Sequence, residues 1–275
     1  MKVYLSRGAR SKLVKLGARR ALDAALLDPD LARFIGKMRV TANPPVSTGL
    51  DVLTRRIQIE LLSTGVRGLD SLLGGGLEPG YVTELIGEFG AGKTQLCHQL
   101  AVMVQLPRER GGLSGKALYI DAEGTFRPER VISIARYRGI DPEKTLENIK
   151  YIEAIDLDGI AEAVISLGDL DVNLVVVDSL AYALLSPRGV REARRAFGKA
   201  AELLKRLSLW GGVAVVTSAV RGDKVIGDPH VSMWVDFRVR LKPIGNGLVE
   251  ASLEIPRSAD TCRLVITDKG ILDYG

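Results

Sequence analysis

From residue 81 onward, short apolar runs alternate with longer stretches in which apolar residues recur every third or fourth position. The runs are 81–86, 117–120, 149–154, 174–177 and 213–216. Each reads as a strand buried on both faces, since a strand covered on one side alone would alternate apolar and polar residues. Between them, 93–105, 128–137, 157–167 and 190–209 carry helical spacing. In the first, Leu96, Leu100 and Val104 lie about a turn apart; in the last, Val190, Ala193, Phe197, Ala200, Ala201 and Leu204 form the predicted buried stripe. This alternation predicts an α/β fold, a mostly parallel sheet covered by helices. The tail changes character. Residues 238–241, 248–254 and 263–266 are strands joined by glycine-containing turns, which predicts an antiparallel extension.

The first forty residues read differently. Leu13, Leu16, Ala21, Leu22, Ala25 and Leu26 mark a small helical module, and Asp28-Pro29 predicts a second helix with Asp28 as its cap. Pro44 and Pro45 among small polar residues form the best linker. The predicted organisation is a small helical domain at 1–42, a linker segment at 43–60 containing an amphipathic stretch at 50–59, and a core at 61–275. Net charge sharpens this division. The whole chain carries +5, while residues 1–40 hold ten bases against three acids. A basic module on a near-neutral body points to a polyanion partner or, equally, to a solvated surface. No apolar run approaches the roughly 18 residues that a membrane span needs. No secretory signal opens the sequence, and the two cysteines, Cys97 and Cys262, predict no structural disulfide, so the expected setting is cytoplasmic. Asparagine and glutamine are scarce, four of each, a lean toward a thermophilic source.

The chemistry concentrates at Gly87-Glu88-Phe89-Gly90-Ala91-Gly92-Lys93-Thr94, which satisfies the phosphate-loop pattern at every fixed position. A strand precedes it and a helix follows, which is the context the pattern requires. Glycines let backbone N–H groups approach phosphate oxygens, and the helix N-terminus adds partial positive charge. Lys93 is predicted to reach the β and γ phosphates of a nucleoside triphosphate, and Thr94 to ligate Mg²⁺. Ligands of open α/β sheets gather at the carboxyl ends of strands. That edge collects Asp121, Glu123, Asp178 and Thr217-Ser218. Asp178 is the second expected Mg²⁺ partner, and Glu123 is either the carboxylate that would activate water or a surface carboxylate. Arg188, Arg191, Arg194 and Arg195 cluster at the start of the 190–209 helix, where they are either phosphate contacts or a solvated face. His98 reads as a helix-surface residue, and Trp234 as packing a loop against the body, with stacking on a nucleic-acid base as the alternative.

The stretch Tyr119-Ile120-Asp121-Ala122-Glu123-Gly124 followed by Thr125-Phe126-Arg127-Pro128-Glu129-Arg130 resembles the RadA recombinase family, the archaeal and eukaryotic branch of RecA-like proteins. So do 102–107 and Gly111-Gly112-Leu113. The resemblance runs from about residue 46 to the end, and more faintly back to residue 8. It implies a RecA-like P-loop ATPase core using ATP and Mg²⁺. It implies Glu123 as catalytic glutamate, Asp178 as the metal aspartate and Arg130 as the arginine packing on adenine, and Gln95 is counted with the nucleotide-binding residues. It also implies single-stranded DNA as partner, with Arg221 and Lys224 in the second DNA-binding loop, and makes 8–36 a reduced form of the family's helical DNA-binding domain.

The departures cluster. The family's polymerisation motif, Phe-x-x-Ala, is here Val46-Ser47-Thr48-Gly49. Burying a Phe is worth roughly 1.5–3 kcal/mol, so homo-oligomer assembly is expected to be weaker. The family closes a core strand with Thr-Asn-Gln, whose glutamine links the γ phosphate to the second DNA-binding loop; here it is Thr217-Ser218-Ala219. That loop, 221–236, is shorter than in the family, and Met233 stands where the family has a histidine. Pro256-Arg257-Ser258-Ala259-Asp260 lacks a second proline. The expectation is an ATP-binding, weakly hydrolysing paralogue assisting a main RadA-type recombinase. A strand-exchange recombinase and a non-enzymatic ATP switch are the alternatives.

Overall fold

The computed structural model describes residues 48–165, 167, 170–184, 190–222, 224–228 and 231–274. The predicted 1–42 domain, Val46 and Arg188 lie outside them. Six parallel strands form the centre: β1 (Val82–Gly87), β2 (Ala117–Asp121), β3 (Ile149–Glu153), β4 (Leu174–Asp178), β5 (Val213–Arg221) and β7 (Phe237–Gly245). β8 (Leu248–Ile255), β9 (Thr261–Thr267) and β10 (Gly270–Asp273) continue the sheet antiparallel. The order is β10-β9-β8-β7-β1-β5-β4-β2-β3, and β6 (Lys224–Val225) pairs only with β5. The predicted parallel sheet and antiparallel tail are both present.

The continuous apolar runs now have a cause. Leu174, Val176, Val213 and Val215 join one core, while Val175, Val177, Ala214 and Val216 join the other. Successive residues face opposite sides, and helices cover both sides. α3 (Lys93–Met103) and α4 (Pro128–Tyr137) contribute to the first core, α6 (Leu157–Ile165) and α8 (Val190–Trp210) to the second. Of the expected α8 stripe, Ala200 and Leu204 are buried as predicted, and the side chains of Val190, Ala193 and Phe197 lie outside the described part. Leu203 and Leu207 are also buried, whereas Ala201 is only half-buried.

α1 (Gly49–Ile57) occupies the predicted linker, so part of 43–60 is helix. Thr48 and Asp51 form its capping box, and the Arg56 guanidinium ties it down by donating to the Tyr81 hydroxyl (2.7 Å) and Glu78 (3.0 Å). α2 (Arg67–Leu72), α5 (Pro142–Glu147) and α7 (Leu180–Leu184) complete the described elements used below. No helix among the described residues is long and apolar enough to cross a membrane, and Cys97 and Cys262 are free.

Candidate nucleotide-binding site

β1 delivers the chain into the loop at Gly87. A Cβ there would lie 2.4 Å from the Leu241 carbonyl oxygen, so the turn admits no side chain. Gly92 has φ 92° and ends the loop as the cap of α3. That positive φ strains any other residue, and a Cβ there would also press on the tip of the Ile266 side chain at 2.8 Å. No side chain caps α3. Its first N–H groups are therefore open to an anion at the helix N-terminus. The Lys93 ammonium donates to the carbonyls of Gly87 and Glu88, both at 2.9 Å. Burial pulls its pKa down, against the pull of Asp178 and Glu123. Phe89, Gly90, Gly92, Lys93, Thr94 and Gln95 line a cavity of about 720 Å³. Gly87 and Glu88 serve it through their carbonyls, and Ala91 is buried behind the loop.

The acidic edge divides by role. Asp178 is buried at the end of β4 and lines the cavity. One of its oxygens accepts from the Thr217 hydroxyl (2.6 Å), the other from the Tyr119 hydroxyl (2.8 Å). These donors face Asp178 because positions 119, 178 and 217 share one face of three neighbouring strands. Burial, reinforced by Asp178, holds the Tyr119 pKa well above the ordinary phenol value, so this donor keeps its proton. Asp121 has a different task. Its oxygens accept from the backbone N–H groups of Glu123 (3.1 Å), Thr125 (3.2 Å) and Phe126 (2.9 Å), and from the Tyr151 hydroxyl (3.3 Å). Asp121 thus shapes the loop that presents Glu123 to the cavity. The Glu123 carboxylate accepts from the Ser179 hydroxyl at 2.5 Å.

The far end of the cavity is built by Arg130, Ile266, Thr267 and Asp268. The Arg130 guanidinium is held flat by three acceptors: Gln95 Oε1 (2.5 Å), the Asp268 carbonyl (2.7 Å) and the Thr267 carbonyl. A planar cation beside the apolar Ile266 suits an aromatic base. The residues therefore fit a nucleoside triphosphate from end to end. Gly90 lines the cavity with open space where a Cβ would stand, and the buried Thr125 hydroxyl, also on the cavity wall, has no protein partner. Thr94 and Asp178 are the hard oxygen donors suited to Mg²⁺ there.

His98 corrects a sequence expectation. It lies on α3 but is buried, stacked 5.5 Å from the Tyr119 ring and 5.2 Å from Phe126. Its Nε2 accepts the N–H of Arg127, the residue that caps α4. Burial, with Arg130 adding to it, lowers its pKa to about 4. The surface reading failed because aromatic neighbours arriving from β2 and the 122–127 loop cover that face.

β5 also corrects an expectation. It runs past Thr217-Ser218 to Arg221, and Ala219 lines the cavity because 217 and 219 share a face. Arg221 and Lys224 are exposed and pair with each other across the β5–β6 turn, outside the cavity lining. Arg191, Arg194 and Arg195 fall in the first turns of α8; their side chains are beyond the described part. Trp234 was expected to pack the loop down. It is 41% exposed, and Val225, Val231 and Val235 do the packing instead. Sequence reasoning missed Ser179, Tyr119 and the 266–268 wall. A Ser directly after the strand-ending Asp178 was the one available signal.

The sequence model of the Rad51 family matches residues 55–268. The chain is 41% identical, over 262 aligned residues, to the DNA repair and recombination protein RadA of Metallosphaera sedula. The match covers 88% of this chain and 81% of that protein.

Proposed function

This chain belongs to the Rad51 family, and on that premise we propose that it is an ATP-binding, slowly hydrolysing RadA paralogue that assists a main recombinase in homologous recombination and DNA repair. Family membership supports the broad role. One observation carries the finer reading. The cavity has a full set of phosphate, acid and base-stacking residues, yet the β5 residue in its lining is Ala219, whose side chain is a methyl group. A methyl group cannot hydrogen-bond a γ phosphate.

In this reading the α3 N–H groups and Lys93 hold the phosphates. Glu123 takes the proton of a water attacking the γ phosphorus, and ADP and phosphate leave. A magnesium ion, which Thr94 and Asp178 would hold, would neutralise the phosphate charge. Single-stranded DNA is assigned to Arg188, Arg191, Arg194 and Arg195, with Arg221 and Lys224 beyond. Self-assembly is expected to be weak, given Val46 and Gly49.

The test is ATP turnover with and without single-stranded DNA, alongside Lys93→Ala and a strand-exchange assay. Slow turnover that Lys93→Ala abolishes, little stimulation by DNA and no strand exchange are expected. Robust ATP-dependent strand exchange by the protein alone would overturn the accessory role.

A further inference from the structure

Ser179 stands between two parts of the molecule that the proposed reaction has to coordinate. It follows Asp178 at the end of β4 and is buried. Its hydroxyl donates to Glu123 Oε1 at 2.5 Å. The same oxygen accepts the N–H of Tyr182 at 3.1 Å, three residues ahead, as an N-cap does for the helix it precedes. That helix is α7, and the chain beyond it runs into the arginine-bearing start of α8. A hydroxyl has one proton to give. Here the proton goes to Glu123 while the oxygen receives the α7 amide, so the rotor is fixed from both sides.

We propose that Ser179 is the positioning residue for Glu123, setting the carboxylate's rotamer and tying that setting to α7. The proposal rests on the ATP-hydrolysing reading above. Glu123 reaches the cavity from a loop, and Asp121 holds that loop only by its backbone N–H groups. Asp121 therefore fixes where the Glu123 backbone sits but not where its carboxylate points. Ser179 supplies the missing constraint. With Oε1 committed to the serine, Oε2 is left to accept from an attacking water. Misplacing a catalytic group by about 1 Å can cost about a hundredfold in rate, so one such bond can govern turnover. The arrangement also gives the site a route to α7 and α8 that does not pass through position 219.

The experiment compares the full-length wild type with Ser179→Ala and Ser179→Thr, reading kcat, KM and binding of a fluorescent ATP analogue. Ser179→Ala is expected to lower kcat about tenfold or more. KM and analogue affinity should move less than about twofold, because Ser179 is not itself a lining residue and reaches the cavity only through the Glu123 carboxylate. Ser179→Thr keeps the hydroxyl and should recover most of the rate. A double-mutant cycle separates positioning from a general loss of fold. Glu123→Asp withdraws the carboxylate by one methylene, so adding Ser179→Ala to it should cost almost nothing further. Wild-type kcat in Ser179→Ala overturns this proposal alone. So does an equal loss of nucleotide affinity that Thr does not rescue, or an additive effect on the Glu123→Asp background. Analogue binding by the wild type without any turnover overturns the hydrolytic reading and this proposal together.

Discussion

At the scale of single residues, the phosphate loop was legible because its chemistry is contiguous: the required glycines, Lys93 and Thr94 sit within eight positions. Asp178 was legible because an apolar strand ends on it. Tyr119, Thr217 and Ser179 were not, since their roles arise only where neighbouring strands bring them against Asp178 or Glu123. His98 shows the same limit and yields a prediction. Its pKa falls from an ordinary 6.5 to about 4, first through burial and then through the charge of Arg130, with Asp121 opposing. The folded state therefore favours the neutral ring. Its contribution is complete above pH 6.5 and is lost as pH falls toward 4. The full loss amounts to ~3 kcal/mol at about 1.4 kcal/mol per unit. Urea unfolding of wild type and His98→Phe at pH 7 and pH 4 reads this. Carboxylates titrate in both proteins, so the wild type should lose ~3 kcal/mol more than the variant. Parallel losses would mean that His98 is not the acid-sensitive group.

At the scale of elements, β1, β2 and β4 were legible because burial on both faces makes them near-continuous apolar runs; β3, at the sheet edge, is largely exposed, β5 runs on to Arg221, and β10 was not foreseen. Short elements escaped. α5 and α7 have six and five residues, and β6 has two, too few for a period to register. Nor could patterning foresee the ion cluster beneath the sheet's centre. Arg238 of β7 donates to Glu84 of β1 at 2.7 Å and makes a two-pronged contact with Asp228 at 2.7 and 2.8 Å. Burial works against the Arg238 charge, but hydrogen bonds and charge from Asp228 and Glu84 outweigh it and raise its pKa above the usual arginine value. Glu84 is fully buried, so Arg238→Met would strand its charge. The expected cost is about 3–5 kcal/mol. Adding Glu84→Met should return most of it, because Asp228, with 30% of its side chain exposed, can turn to water. Chemical denaturation of the two variants checks this. A double variant no more stable than the single would place the cost elsewhere.

At the scale of the whole molecule, these attachments bear on whether ATP can speak to the 222–236 segment. Asp228 fastens the segment to Arg238. The Ile226 N–H donates to the Ala219 carbonyl at 3.0 Å, and the Asp236 carboxylate accepts the Val82 N–H at 2.8 Å. Val225, Val231 and Val235 are buried beneath it. None of these bonds involves a group lining the cavity except the Ala219 carbonyl, which already has its donor. A ligand shifts a conformational equilibrium only through contacts that differ between the two states. With alanine at 219, the γ phosphate has no such contact to offer this segment. Amide exchange at 224–228 and 231–236 should therefore be slow without nucleotide and change less than about twofold when Mg²⁺ and a non-hydrolysable ATP analogue are added. The phosphate loop at 87–94 should become strongly protected in the same samples, which shows that the analogue is bound. Protection or release of 224–236 that follows the analogue would mean that the site reaches this segment by a path other than position 219. The Ser179–α7 connection would then be the first place to look, because the Ser179 hydroxyl joins the Glu123 carboxylate to the α7 backbone.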